Sequence, residues 1–570
     1  MSVLEQAKKE IIALVSGALG QTVDARPCDL SVPPQKDMGD LAFACFGAAK
    51  ALKKSPVEVA KTLAAAIKPS GLVAAAVAAG PYVNFRLDRD AFSAAVLSEV
   101  LGAADKFGAA PAAKGEKVMI EYAQPNTHKE FHVGHLRNVC LGQAVVNLAR
   151  AAGYEVVPVS YMGDIGAHVA KCLWCLKKFH AADAVSENRG KYLGQIYAEA
   201  TRRVDEDEKL KEEVAEVQRK LEAREPEWDK LWRETREWSL DEFKAIFAEL
   251  GIELDRWYWE SEVEEPGKKL VQELLAKGIA QEGERGAKIV DLEKYGLGIF
   301  LVLKSDGSSL YSTKELALAQ LKFSEYRGIS RSIHIVDSRQ SLYFRQFFKT
   351  LELMGFDKLK TTHLGYEFVT LKEGAMSSRK GNIVSYEDFR DEMTARVAAE
   401  TKKRRDDWDE ERVKETAWTV AEGAMKFGML KQDPDKPIVF DIDAALSFDG
   451  FSGPYIQYAH ARLCSILAKA GGLPAGEAIT GSADAAEHAV LAKAAELPEI
   501  VAAAAEQYKP SILAQYLFDL AQAGNDYYRD VPVLSASGAE RTHRLQVIET
   551  VRLALANGLR LIGMKAPREM

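Results

Sequence analysis

His132-Val133-Gly134-His135 stands where the turn-rich segment QPNTHKEFHVG gives way to an apolar periodic run. Two imidazoles three residues apart on a helix's first turn can donate hydrogen bonds to phosphate oxygens beside the positive helix end, and Gly134 permits close approach. That spacing suits an anion such as the triphosphate of ATP. Metal ligation is the competing chemistry, but HEXXH-type zinc sites place their histidines at i and i+4 with a glutamate general base, absent here. Ordinary surface histidines are the third reading. A second cluster, Met376-Ser377-Ser378-Arg379-Lys380-Gly381-Asn382, is basic, small and glycine-containing. Such a loop can close on a triphosphate and stabilise charge on departing pyrophosphate. Alone it would read as a solvated turn; partnered by HVGH it reads as a lid. Cys172 and Cys175 form one CxxC without a second pair, so burial in a helix is the expected role, zinc the alternative, and no metal site is assigned.

The elements around these clusters follow from periodicity. KVMIEYA reads as a strand, and the helix after HVGH carries Leu141, Val145, Leu148, Ala149 and Ala152 on one face before Gly153. YEVVPVSY is a second strand, completing a βαβ unit whose ligand crevice lies at the strand's C-terminal end and the helix N-terminus. The charged stretch from about 183 to 260 reads as solvated helices inserted between halves of the sheet. IFLVL, SIHIVD, a helix with Phe344, Phe347, Phe348 and Leu351 at i, i+3, i+4, i+7, and THLGYEFVTL imply a second half. Ser385, followed by Glu387 and Asp388, can cap the long charged helix after the lid.

Residues 1–112 read as a small α+β domain. Ser55, Pro56 and Glu58 form a capping box and PYVNFRLD alternates as a half-buried strand, before the linker LGAADKFGAAPAAKGEK. Residues 113–445 read as an α/β domain, and the helical pattern of 446–570 as an all-α bundle. With 570 residues, 47% hydrophobic and 28% charged, the chain is long enough for several packed cores. A net charge of −8 excludes nonspecific attraction of nucleic acid by the molecule as a whole, so any such partner must meet local basic surface. The chain has no uninterrupted apolar run of about 20 residues, and its first residues fit neither a secretory nor a transit signal. No membrane association and a cytoplasmic location are expected.

HVGH paired with MSSRKGN resembles the HIGH and KMSKS motifs of class I aminoacyl-tRNA synthetases. Within that class EYAQPNTHKEFHVGHLRNVCLG, YMGDIGAHVA, LYSTKELALA, VDSRQSLYFRQFF, GPYIQYAHARLCSIL and NGLRLIGMKAPREM resemble the arginyl-tRNA synthetases. The resemblance implies a Rossmann-like parallel-sheet (HUP) catalytic domain, an N-terminal domain touching the tRNA elbow and a C-terminal helical (DALR) anticodon-binding domain. It implies ATP with Mg²⁺, L-arginine and tRNA(Arg) as reactants, and a monomer. His132, Gly134, His135, Met376, Ser377 and Lys380 would bind ATP. The KMSKS lysines are missing at Ala375 and Ser378, and Lys129, just before HVGH, would take over the phosphate charge, with Lys380 beside it. Glu121, Tyr311 and Glu315, standing where the family usually has Asp, would hold the guanidinium, and Asn126 and Gln340 the α-amino group. As an alternative, Glu315 is a first-turn acid stabilised by the helix dipole. Of YMGDIGAHVA only Asp164 carries over, since Ile165 and His168 replace the usual residues. Asn84 and Phe85 would meet the tRNA elbow, and Tyr458, Tyr528 and Met570 the anticodon. By their chemistry Tyr455, Tyr458 and Tyr528 offer faces on which anticodon bases can stack, half-buried core being the alternative; Arg462, Arg552 and Arg560 read equally as phosphate contacts or as ordinary solvated arginines. Two rivals are an enzyme of this fold charging another amino acid and a non-catalytic tRNA-binding paralogue; intact HVGH and Lys129 argue against the second.

Overall fold

The computed structural model describes residues 1–20, 25–26, 29–110, 114–185, 187–372, 384–473, 479–482 and 484–570. Near the N-terminus, helices Val3–Leu19, Pro56–Ala66 and Arg89–Ala103 pack with a four-stranded antiparallel sheet. Pro56 opens its helix as expected, although the Ser55 side chain makes no capping hydrogen bond. The alternation of PYVNFRLD turns Val83, Phe85 and Leu87 into the core. Phe85 is therefore fully buried and Asn84 only 5% exposed, which corrects their expected role: neither offers side-chain surface to a tRNA. The exposed aromatics nearby are Phe46 and Tyr82, edge to face 5.8 Å apart.

The central sheet has five parallel strands, in spatial order Lys360–Tyr366, Ile329–Asp337, Lys117–Glu121, Glu155–Met162 and Arg256–Trp259. The chain leaves Lys117–Glu121 in one direction and later returns to its other side. The order therefore reverses between Lys117–Glu121 and Ile329–Asp337, where an open parallel sheet has its ligand crevice. IFLVL does not join this sheet: Ile299–Leu303 pairs antiparallel with Lys288–Asp291 in a separate three-stranded sheet, its alternately exposed Ile299 and Leu301 marking one solvated face. THLGYEFVTL is split between two sheets, since Val369–Leu371 pairs with Ile438–Phe440.

Helix Val133–Ala151 buries the periodic residues Leu141, Val145, Leu148 and Ala149, but also Val139, Cys140 and Val146. It is sandwiched, with the sheet on one side and helices Glu410–Leu430, Leu497–Gln507 and Pro510–Asp530 on the other. The charged insertion forms helices Arg189–Glu206, Leu210–Glu222 and Pro226–Leu250, which share a small core with the buried Cys172 and Cys175. Helices Gly453–Lys469, Ala485–Ala495 and Gly538–Leu561 complete the C-terminal bundle. Helix Arg89–Ala103 of the N-terminal region rests on the last two, with His488 and Asp40 2.9 Å apart across the contact.

Candidate active site

A cavity of about 980 Å³ opens at the switch point of the sheet. At one end His132 is the N-cap of helix Val133–Ala151, and its Nδ1 accepts from the Gly134 amide at 3.1 Å. The His132 amide donates to Nδ1 of His135 at 3.2 Å, and the two rings stack with centroids 3.7 Å apart. With both Nδ1 atoms accepting, each neutral ring carries its proton on Nε2, leaving two N–H donors beside the helix's positive end. Burial, reinforced by the Lys129 charge, pushes His132 down to about 4. Burial, His132 and Lys129 together hold His135 well below the usual imidazole range. Neutral donors are what a site needs if it is to grip phosphate without titrating near pH 7.

The loop bearing these groups is fixed from several sides. His128 takes a left-handed backbone conformation (φ 62°), and its buried ring nitrogens contact Thr127 Oγ1 at 3.0 Å and Thr235 Oγ1 at 2.8 Å. That turn delivers Lys129, whose Nζ lies 5.1 Å from the centre of the Tyr197 ring on the inserted helix Arg189–Glu206. The Val133 amide donates to Val384 O at 3.2 Å and the Tyr386 amide to Phe131 O at 2.9 Å. The segment leaving the expected lid is thus stitched to HVGH, and Ser385 caps helix Tyr386–Arg404 through the Asp388 amide. Met376, Ser377 and Lys380 lie outside the described residues.

At the other end Glu121, Asn126, Tyr311, Glu315 and Gln340 line the same cavity. Glu121 ends its strand in register with His334 of Ile329–Asp337, so the two side chains leave the sheet on one face. Ligand atoms of Glu121, His334 and Glu315 lie within 4.8 Å of one another, all buried. Glu315, on the first turns of helix Tyr311–Glu325, is pushed up to about 8 by burial and by the neighbouring Glu260. Tyr161 Oη, Tyr343 Oη and His334 Nδ1 are buried there without a hydrogen-bond partner among the described residues. Buried polar atoms beside a buried carboxyl make a pocket whose chemistry fits a multi-donor cation. Asn126 reaches it because a side chain at Gly163 is missing: a Cβ there would lie 2.1 Å from Asn126 Oδ1.

Several residues not singled out in the sequence hold this arrangement. Asn138 accepts from the Ala123 amide at 2.6 Å and donates to Ile335 O at 2.8 Å, clasping the two strands that flank the crevice. Arg137, buried in the same helix, donates to Glu367 O at 2.6 Å, Pro434 O at 3.0 Å and Lys436 O at 2.8 Å. Lys322 pairs with Glu121, and Lys314 with Glu260 at 2.6 Å. The signal for them was polar residues inside apolar helical runs, HLRNVCLG and ELALAQLK. Asp164 accepts from Ser261 Oγ at 2.7 Å with Arg236 at 3.1 Å and does not line the cavity.

Three family models match the chain: the arginyl-tRNA synthetase N-terminal domain over residues 5–87, the catalytic domain of class I (R) tRNA synthetases over 96–442, and the DALR anticodon-binding domain over 456–570. An arginine–tRNA ligase of Bdellovibrio bacteriovorus is 42% identical over 551 residues, covering 94% of this chain and 93% of that protein. The chain belongs to the arginyl-tRNA synthetases. A relative from Halothermothrix orenii is 33% identical and covers 99% of both chains. The solved Thermus thermophilus arginyl-tRNA synthetase superposes with a TM-score of 0.83 at 30% identity, covering 99% of this chain and all of that one.

In the part matched by the family's anticodon-binding domain, Tyr458, Arg462, Arg552 and Met570 border one cavity of about 1010 Å³ together with Arg405, Trp408 and Arg568. Met570 O accepts from Arg405 Nη2 at 2.7 Å, which ties the C-terminus to helix Tyr386–Arg404 at its end. Tyr455 is instead half-buried on Phe518 with its hydroxyl accepting from Asn525, and Tyr528 lies beneath the Arg462 guanidinium at 5.2 Å. Arg560 donates to Asp105 O, so it serves the contact with the N-terminal region.

Proposed function

We propose that this chain joins L-arginine to the 3′ end of tRNA(Arg) through an arginyl-adenylate, releasing AMP and pyrophosphate, and that the 980 Å³ cavity is where both small substrates meet. The observation that carries this is the gathering, in one cavity at the switch point, of two neutral imidazole donors at one end and two close buried carboxyls at the other. A triphosphate on the helix N-terminus places its α-phosphorus toward the middle, and a side chain held at the carboxyl end directs its own carboxylate there. Attack of that carboxylate in line needs positioning and charge neutralisation rather than a strong base. His132 and His135 donate to phosphate oxygens, and Lys129 supplies the positive charge for the α-phosphate, with Lys380 of the lid beside it. Glu121, Glu315 and Tyr311 hold the guanidinium, whose planar fork suits paired carboxylates; Asn126 and Gln340 hold the α-amino group.

Mg²⁺ enters as the nucleotide's own counter-ion. Tyr458, Arg462 and Met570 would receive the anticodon in the C-terminal cavity. The division at residues 112 and 445, a cytoplasmic location and a monomer complete the proposal; no helix among the described residues is long and apolar enough to cross a membrane. The test is charging of tRNA with a panel of labelled amino acids. Arginine alone should be esterified; another amino acid in its place would overturn the substrate assignment.

A further inference from the structure

Lys322 is the least expected group at the arginine end of the cavity. It lies on helix Tyr311–Glu325, is 1% exposed, pairs with Glu121 and is absent from the cavity wall. Burying an ammonium group is costly unless a carboxylate compensates it, so its position calls for a reason beyond packing. Charge counting supplies one. Around this end, among the described residues, three buried carboxyls, Glu121, Glu260 and Glu315, face two ammonium groups, Lys314 and Lys322. Beyond these, Asp164 is paired with Arg236, and Asp337 on the cavity wall with Arg339. Glu315, once ionised, is the one left over.

We propose that Lys322 sets the specificity of the arginine subsite from behind the wall, by cancelling Glu121 so that the pocket carries one negative charge and therefore demands one positive charge in its ligand. This rests on the assignment of Glu121 and Glu315 to the guanidinium subsite. Geometry supports it: Lys322 approaches Glu121 Oε2, which also lies 3.6 Å from His334 Nδ1, while Oε1 accepts from Gln124 at 3.3 Å. One carboxylate oxygen is thereby held at the back, and the group keeps its orientation toward the cavity. An uncancelled Glu121 carboxylate would repel a second negative charge in the pocket and make Glu315 hold its proton still more tightly, keeping it a donor that clashes with guanidinium N–H groups. Lys322 is thus a positioning residue that acts through Glu121.

The proposal predicts a suppressor. Glu121→Gln leaves Lys322 unopposed, so the pocket loses its net negative charge; removing Lys322 as well restores it. At about pH 8.5, where Glu315 is ionised, Glu121→Gln should raise the arginine KM about tenfold or more, and Glu121→Gln/Lys322→Met should recover at least about threefold of that, with the ATP KM unmoved in both. Citrulline, the neutral isostere of arginine, should inhibit Glu121→Gln more strongly than wild type, and the double variant should lose that gain. Lys322→Gln replaces Lys322→Met in the pair should the latter not fold. A double variant no better than Glu121→Gln, or one in which the ATP KM moves in step, overturns the proposal. Glu315→Gln assayed alongside separates the two readings. If it leaves the arginine KM unchanged, the subsite itself lies elsewhere; if it raises the KM while the suppressor fails, only the role of Lys322 falls.

Discussion

At the scale of single residues the site is governed by burial. Burial and the neighbouring Glu260 hold Glu315 up to about 8, so below that pH it must lose a proton before it can pair with a guanidinium. Arginine binding therefore releases a proton, and the arginine KM of the wild-type enzyme should fall as pH rises from about 6.5 toward 8.5 and then level off. Glu315→Gln should raise that KM by an order of magnitude or more and flatten the profile, since truncating one partner of a buried charge pair costs about 2–5 kcal/mol. A profile unchanged in Glu315→Gln assigns the titration to another group. Lys129 tests the phosphate end. Lys129→Ala should slow adenylate formation by about 100-fold or more, as loss of one transition-state charge contact does, while Ser378→Ala does little; equal losses in pyrophosphate exchange would remove Lys129 from its role. HVGH was legible because its chemistry and its place after a strand coincide. Lys322 was not, because a lysine in a helical run reads as solvated until the fold shows what lies over it.

Among elements, the strands of the central sheet were readable as short apolar runs bounded by turn residues. Lys117–Glu121, Glu155–Met162 and Ile329–Asp337 fall where the apolar runs placed them. IFLVL was misplaced although its antiparallel partner Lys288–Asp291 lies just upstream, because five apolar residues look like any buried strand and do not say which sheet they join. Val369–Leu371 was misplaced because its partner, Ile438–Phe440, is distant in sequence. Helix Val133–Ala151 looked one-faced because Cys140, Gly142 and Asn138 do not register as apolar, yet all are covered. Gly142 has a specific reason: a Cβ there would lie 2.0 Å from the Tyr122 ring. Gly142→Ala should therefore shift this helix or lower stability by about 1–3 kcal/mol, the cost of overpacking a core, with the ATP KM rising because His132 and His135 ride on the same helix. Thermal unfolding with ATP titration checks both. In the bundle, Glu487 joins three helices through His543 at 3.0 Å and Tyr527 at 3.3 Å. Burial alone would raise its carboxyl, but the hydrogen bonds from His543 and Ser482 outweigh this and hold it at about 2. A depressed carboxyl stabilises the fold above its unfolded value and loses that contribution as pH falls toward about 2. Glu487→Gln should consequently lower the melting temperature at pH 7 and matter progressively less in acid.

For the whole molecule, the parts meet around the HVGH helix. The C-terminal helices Leu497–Gln507 and Pro510–Asp530 cover its outer side, and helix Arg89–Ala103 rests on the bundle in turn. Asn557 Nδ2 donates to Ala104 O at 2.8 Å and Phe107 O at 3.1 Å, binding the last long helix to the end of the N-terminal region. A tRNA held by Tyr458, Arg462 and Met570 would therefore press on elements that touch the helix aiming both imidazoles. The net charge of −8 confines its contact to local basic surface, such as the arginines bordering the C-terminal cavity. Phosphate contacts made there release counterions, so tRNA affinity should fall linearly with salt on a double logarithmic plot. Coupling between the two sites would give exchange of pyrophosphate with ATP that is negligible with arginine alone and rises on adding tRNA(Arg). Raising the salt should then weaken that stimulation in proportion to the loss of tRNA binding, leaving the arginine KM at saturating tRNA little changed. Robust exchange without tRNA would mean that the imidazoles and carboxyls are already aligned in the free enzyme, and that the packing of the bundle against the HVGH helix supports stability rather than catalysis.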